Sequence, residues 1–395
     1  MFNQIEDILN KILQESVTKN ASDVHLEPCF DQSLTVRYRI NGELLKTTII
    51  PPQFKDPIIA RIKLLSNLDI AEKRLPQDGK LNIKLSSSNE NQTLQFRVST
   101  VNYSNGEKVV LRVINKKNNF QLSNLGLSNF QLTQLTQHLN QPQSLILITG
   151  ATGSGKSVTL YSCLQYLKNS NKNIITVEDP IEMTIDGINQ IAVNEKIGLS
   201  FNSILKHLLR QDPDIIMIGE IRDFTSAQIA VNAAQTGHLI LTTLHSNNNF
   251  SAITRLLNLG VANYNLVESL ALIINQKLIK TLCQNCKIST PLSSTQIKTI
   301  NGINAINKSI TADYEYNYIA NTNGCQYCHQ GYNNRVAIFK FLTIDNNIKS
   351  IIMNNNFSTQ SFKFITPDNY YYQQLISLIQ QGLIDFDSFI NYYRA

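Results

Sequence analysis

Within MFNQIEDILNKILQESV at the start of the chain, Phe2, Ile5, Leu9, Ile12 and Leu13 recur at helical spacing, which predicts an amphipathic helix with one core-facing side. Beyond it the apolar period falls towards two. LTVRYRING, KLNIKL, TLQFRVSTV and EKVVLRVI read as half-buried strands, and Asn41–Gly42 and Asp78–Gly79 supply turn chemistry between them. Residues 1–114 are therefore expected to form a small α+β domain on an antiparallel sheet. NKKNNFQLSN, residues 115–124, is polar and aperiodic and is expected to be a linker.

From residue 125 the pattern changes to short, unbroken apolar runs separated by helical stretches: SLILITG, NIITVEDP, DIIMIGEI and HLILTTLH. Runs apolar on both faces belong inside a sheet covered on both sides. The alternation predicts an α/β fold for 125–395, with a mostly parallel sheet and a site at the strands' carboxyl ends. Two cysteine pairs bracket an insertion at 283–328, and a helical tail closes the chain.

Composition narrows this picture. The 395 residues suffice for two or three domains, and 42% hydrophobic with 16% charged residues suits a folded chain over a disordered one. No apolar run approaches the roughly 20 residues that span a bilayer. The first helix is acidic early, unlike a signal peptide, so the chain is expected in the cytoplasm, where a disulfide framework is not expected. The formal charge is +6. Without a dense Lys/Arg run interleaved with aromatics, direct nucleic-acid binding is not expected.

GATGSGKS, residues 150–157, matches the phosphate-loop pattern G-x-x-x-x-G-K-[ST] between an apolar strand and a helix. Its glycines let backbone N–H groups and the helix N-terminus face a phosphate. Gly150, Ala151, Thr152, Gly153, Ser154, Gly155, Lys156, Ser157 and Val158 are the expected nucleotide-binding residues. Lys156 would reach the β- and γ-phosphates, and the Ser157 hydroxyl would ligate Mg²⁺. Hydrolysis needs carboxylates as well. DIIMIGE delivers Glu220 on a strand expected beside the loop, and TVEDPIE delivers Glu178 and Asp179 at another strand end. His238 and His245 flank the strand in TGHLILTTLHS, and His245, at its end, is placed to report on the γ-phosphate.

The chain has six cysteines, and four form C-x-x-C pairs: Cys283/Cys286 and Cys325/Cys328. One such pair fits a redox motif or half a metal site, and a redox role needs only one pair. Two pairs favour Zn²⁺, because four thiolates complete a tetrahedral ion. The insertion between them is rich in Asn, Ser and Thr, and such a site supplies folding free energy that a poor core lacks. Cys29 and Cys163 read as ordinary small apolar residues.

Longer stretches carry a resemblance. ASDVHLEP (21–28), RYRINGEL, AEKRLPQDGK (71–80), FRVSTV and GEKVVLRV resemble the second N-terminal domain of the secretion ATPases that drive type II secretion and type IV pilus assembly. GATGSGKSVTLY resembles their Walker A motif, ITVEDPIE their Asp box, LRQDPDIIMIGEIRD (209–223) their Walker B motif and TGHLILTTLHSN their His box. The resemblance implies a RecA-like P-loop motor domain, a homo-hexameric ring and Mg-ATP hydrolysis. It also implies a peripheral position at the cytoplasmic face of the inner membrane, through a platform protein. Arg74, Arg97 and Arg112 match the arginines that approach the phosphates from the N-terminal domain. The tetracysteine element is the mark of assembly and secretion members, where retraction members generally lack it. Departures are expected too. The family's first N-terminal domain is missing before ASDVHLEP, Asn248 stands where an acid is usual, Lys277 and Lys280 replace arginines, and Lys340 replaces a glutamate. A non-hydrolysing ATP-binding scaffold and a nucleic-acid-translocating ATPase are the alternatives.

Overall fold

The computed structural model describes residues 2–87, 90–114, 120–307, 316–354 and 369–394. The chain divides into two compact units, Met1–Asn118 and Asn119–Ala395.

In the first unit, helix α1 (Phe2–Thr18) buries Ile5, Leu9, Ile12 and Leu13, as its spacing predicts. Six strands follow: β1 (Asp23–Pro28), β2 (Leu34–Ile40), β3 (Glu43–Ile50), β4 (Gln77–Ser87), β5 (Glu90–Tyr103) and β6 (Gly106–Ile114). They form one sheet in the order β3-β2-β1-β6-β5-β4, antiparallel throughout. Helix α2 (Pro52–Leu65) shares a core with α1 and the sheet, including Ile58, Ile62, Val24, Tyr38 and Phe96. The Tyr38 hydroxyl donates to the Ile12 carbonyl at 2.8 Å, tying α1 to β2 without leaving a buried donor unpaired.

Local reading misses α2 because Pro51, Pro52 and Pro57 read as breakers. Pro52 instead opens the helix, where a missing N–H costs nothing, and Pro57 is accommodated inside it. The Asn41–Gly42 turn forms with both residues at positive φ, 51° and 91°. Asp78–Gly79 does not turn. It lies inside β4, paired with Ser99 and Val98. Glycine is needed there for room, since a Cβ on Gly79 would stand 2.7 Å from the Ser66 carbonyl oxygen. Of the expected linker, residues 115–119 lie outside the described residues. Leu122–Leu125 forms a 3₁₀ turn with both leucines buried in the second unit.

The second unit opens with α3 (Asn129–Leu139) and β7 (Ser144–Thr149) and continues through α4 (Lys156–Leu167), β8 (Ile174–Glu178), β9 (Asn189–Ala192) and α5 (Phe201–Leu208). Then come β10 (Ile215–Ile218), α6 (Phe224–Gln235), β11 (Leu239–Leu244), α7 (Asn249–Asn258), α8 (Asn263–Ser269) and β12 (Leu270–Leu282). β13 (Ile288–Pro291), α9 (Ser294–Asn307), β14 (Tyr316–Ile319), β15 (Tyr332–Thr343), α10 (Asn346–Met353), α11 (Asn369–Gln380) and α12 (Phe386–Arg394) complete it. The main sheet has the order β15-β12-β7-β11-β10-β8-β9, parallel except for β15 at its edge. Leu145 and Leu147 feed the core under α5 to α8, and Ile146 and Ile148 feed the opposite core under α3 and α4. The strict alternation shows why the strand is apolar at every position. A third core joins Leu292 and Ile300 of the cysteine-bracketed segment to Leu375, Ile376, Ile379 and Phe389 of α11 and α12. Among the described residues, no helix is long and apolar enough to cross a membrane.

Candidate functional site: a phosphate loop and its carboxylates

β7 ends at Thr149, and the chain turns through Gly150 at φ 149° into the loop that opens α4. Two buried residues of β12 fix this loop from below. Asn275 donates through Nδ2 to Thr149 Oγ1 at 3.0 Å, and Gln276 accepts from Thr159 Oγ1 at 2.7 Å. A Cβ on Gly150 would overlap the Gln276 carbonyl oxygen, and one on Gly155 would stand 2.8 Å from Gln276 Nε2. The glycines are therefore required by close approach as well as by positive φ. Lys156, the first helical residue, is buried, and its Nζ donates to the Gly150 and Ala151 carbonyls at 2.9 and 3.0 Å. Burial lowers its pKa and the Glu220 charge opposes that shift, so the carboxylate lies within electrostatic reach of the ammonium. Ser157 and Val158 follow on the first turn of α4.

Chain order is not spatial order here. The expectation that Glu220 rides the strand beside the loop is corrected: β11 lies between β7 and β10. His245, just past β11, is thus nearer in strand order, and its Nε2 stands 3.2 Å from Glu220 Oε2. Glu220 also accepts from Arg222 Nε, and Arg222 Nη1 reaches Asp179 Oδ2 at 3.2 Å. One guanidinium thus joins the carboxylates past β8 and β10. Sequence reasoning misses Arg222, whose only local signal is an arginine two residues beyond a strand-end glutamate. His238 lies at the other end of β11, bonded to the Ala233 carbonyl at 2.9 Å, away from this cluster.

Glu178 is only 4% exposed. Oε1 accepts from Thr176 Oγ1 at 2.6 Å and Gln190 Nε2 at 3.0 Å, and Oε2 accepts from the Tyr161 hydroxyl. Burial, then the neighbouring Glu178 charge, raises the Tyr161 pKa far above its ordinary value, which keeps it a donor.

The three expected arginines belong to the first unit. Arg74 is exposed and paired with Glu72, Nη2 to Oε2 at 3.2 Å; that pairing holds the Glu72 carboxyl down at about 2. Arg97 stands opposite Lys80 on one side and Arg112 on the other. Arg112 Nε donates to Asp23 Oδ1 at 2.9 Å.

Asn248 has a local explanation. It caps α7, its Oδ1 accepting from Ser251 N at 2.7 Å while Ser251 Oγ accepts from the Asn248 backbone N–H at 3.1 Å. Asn and Asp cap about equally well. Thermal unfolding should therefore show Asn248→Asp near neutral and Asn248→Ala less stable by about 1 kcal/mol.

Cys283, Cys286, Cys325 and Cys328 converge, with all four Sγ atoms within 4.8 Å of one another. Cys283–Cys325, Cys286–Cys328 and Cys325–Cys328 separations are 3.7, 3.5 and 3.6 Å. A tetrahedral ion bound at about 2.3 Å sets its sulfurs about 3.8 Å apart, so this donor set fits zinc. Burial pushes the Cys163 thiol up to about 12, in keeping with an apolar core role.

A family profile described as "Type II/IV secretion system protein" matches residues 2–389. The chain is 46% identical over 336 residues to the "Protein transport protein HofB homolog" of Haemophilus influenzae, covering 85% of this chain and 65% of that one. It is 41% identical over 346 residues to the "Type IV pilus assembly ATPase PilB" of Acinetobacter baylyi, covering 87% and 58%. The chain thus spans less than two thirds of the length of these two curated relatives. It superposes on the Legionella pneumophila ATPase DotB with a TM-score of 0.71 at 20% identity, covering 98% of this chain and 95% of that one. For the pilus retraction motor PilT with bound ADP the TM-score is 0.63 at 23% identity, covering 96% and 95%. At these identities the superpositions speak to the fold.

Proposed function

The chain belongs to the type II/IV secretion system protein family, and from that membership and its site we propose that it is an ATPase motor. In this reading Mg-ATP hydrolysis in a homo-hexamer powers assembly of a secretion pseudopilus or a type IV pilus. It would act through an inner-membrane platform protein at the cytoplasmic face. The observation that carries the reading is a phosphate loop that holds a buried lysine at the start of α4, together with Glu220, which is bonded to His245 and Arg222.

The loop from Gly150 to Val158 holds the nucleotide phosphates through its backbone N–H groups and Lys156. Ser157 and Glu220 offer the hard oxygen donors that suit Mg²⁺, which when bound offsets charge on the transferring phosphoryl. Glu178 orients the attacking water and takes its proton, with Asp179 beside it. His245 orients Glu220. Arg74, Arg97 and Arg112 would offset phosphate charge. Cys283, Cys286, Cys325 and Cys328 would hold one structural Zn²⁺, and the presence of this element favours assembly over retraction.

Phosphate release by the purified oligomer tests the proposal. Glu220→Gln should bind ATP yet lose at least about 100-fold in turnover, the scale of removing one preorganised charge-stabilising group. Wild-type binding without phosphate release would make the chain a scaffold. Turnover stimulated by DNA and falling steeply with salt would move it to the translocating class.

A further inference from the structure

The Glu178 carboxylate is held by donors from three elements, and their lone-pair accounting is nearly closed. Oε1 accepts from Thr176 on β8 and Gln190 on β9, which fills both its acceptor sites. Oε2 accepts from Tyr161 on α4 and retains one site. Tyr161 is itself aimed: its oxygen accepts from the backbone N–H groups of Glu182 at 3.1 Å and Met183 at 3.4 Å, leaving its proton to point at Glu178. Its ring is 3% exposed and packs edge-on against Phe120, with centroids 5.6 Å apart. Gln190 is anchored at both ends, donating to the Met183 carbonyl at 2.9 Å and accepting from Ile185 N at 2.7 Å. All three side-chain donors to the carboxylate are neutral. They orient it without competing with the metal or the phosphates for its charge.

We propose that Tyr161 is the positioning residue for Glu178, locking the carboxylate so that one lone pair of Oε2 is left to receive the proton of the attacking water. This rests on the ATPase reading above. In that step the water oxygen bonds to the γ-phosphorus and the bond to the β–γ bridging oxygen breaks, its electron pair leaving with ADP. The water proton passes to Oε2 and then to the released phosphate. The hydroxyl that sets this geometry belongs to the helix that starts at the phosphate loop. A shift of that loop would therefore reach the water site through Tyr161, five residues along the chain from Lys156.

The test is Tyr161→Phe in the full chain, which keeps the ring and its packing and removes the hydroxyl. The expected result is a loss of about 10- to 100-fold in kcat, the scale for misplacing a reacting group. KM for ATP and nucleotide affinity should stay within about twofold, because the ring and the loop are untouched. Combined with Glu178→Gln, the change should cost almost nothing further, since Tyr161 acts through Glu178. Wild-type kcat in Tyr161→Phe, or losses that add in the double variant, overturn the inference. So does a rise in KM of the same size as any fall in kcat. If Lys156→Ala abolishes turnover but Glu178→Gln does not, Glu178 is not the water-orienting residue and the inference falls with it, while the motor reading stands. A wild-type chain that never releases phosphate overturns both.

Discussion

Lys156→Ala is expected to reduce ATP turnover to background and to weaken nucleotide binding by about 10- to 100-fold. A hydrogen bond to a charged partner contributes about 1.5–3 kcal/mol, which sets that range. The substitution is gentle on the fold. Alanine is a favourable residue in a helix, and among the described residues the buried Nζ bonds to carbonyls of its own loop, Gly150 and Ala151. The melting temperature should hold within a few degrees while titration with a labelled nucleotide shows the loss. Full affinity with full turnover would remove the phosphate loop from the chemistry.

The second large effect concerns the four thiols. Protein purified under reducing conditions is expected to carry about one zinc per chain, and Cys283→Ser should abolish that content. Cys283 is fully buried, and its N–H donates to the Gly331 carbonyl at 2.7 Å, so an uncompensated site would loosen both cysteine turns. Apparent zinc affinities in small Cys/His peptides correspond to about 10–16 kcal/mol, large beside what a core as small as the one around Leu292 and Ile300 provides. Limited proteolysis should accelerate within residues 283–331. ATP binding should persist, because the phosphate loop rests on the other two cores. Absence of zinc in fresh, reduced protein, or cleavage that ignores chelation, would count against the assignment.

Signals contiguous in the chain are legible in the sequence. The phosphate loop and the apolar strands each show their character within a few residues, and the cysteines do so once both C-x-x-C pairs are read together. Partnerships across elements are not legible in this way. Nothing near Tyr161 announces that its hydroxyl meets a carboxylate on β8, or that Gln190 closes the same group from β9. Strand order is hidden for a related reason. Every strand at the centre of the parallel sheet is apolar on both faces, so each fits any interior slot, and only the packing puts β11 between β7 and β10. Asp78–Gly79 misleads because one residue type answers two needs, a left-handed turn and an approach too close for a side chain. Asn248 provides a helix cap that an acid would also provide.

β12 has one more consequence. It pairs with β7 along its first half and with β15 along nearly its whole length, so it is braced where it supports Gln276 and remains braced as it leaves. From Gln276 to its last residue, Leu282, it covers six residues, roughly 20 Å at about 3.3 Å each, with a register shift at Thr281/Leu282 just before Cys283. A strand bonded into a ladder resists bending and stretching far better than a loop does. The floor of the phosphate loop and the approach to the first zinc-binding cysteine thus lie on one hydrogen-bonded strand, while the cores beneath them are separate.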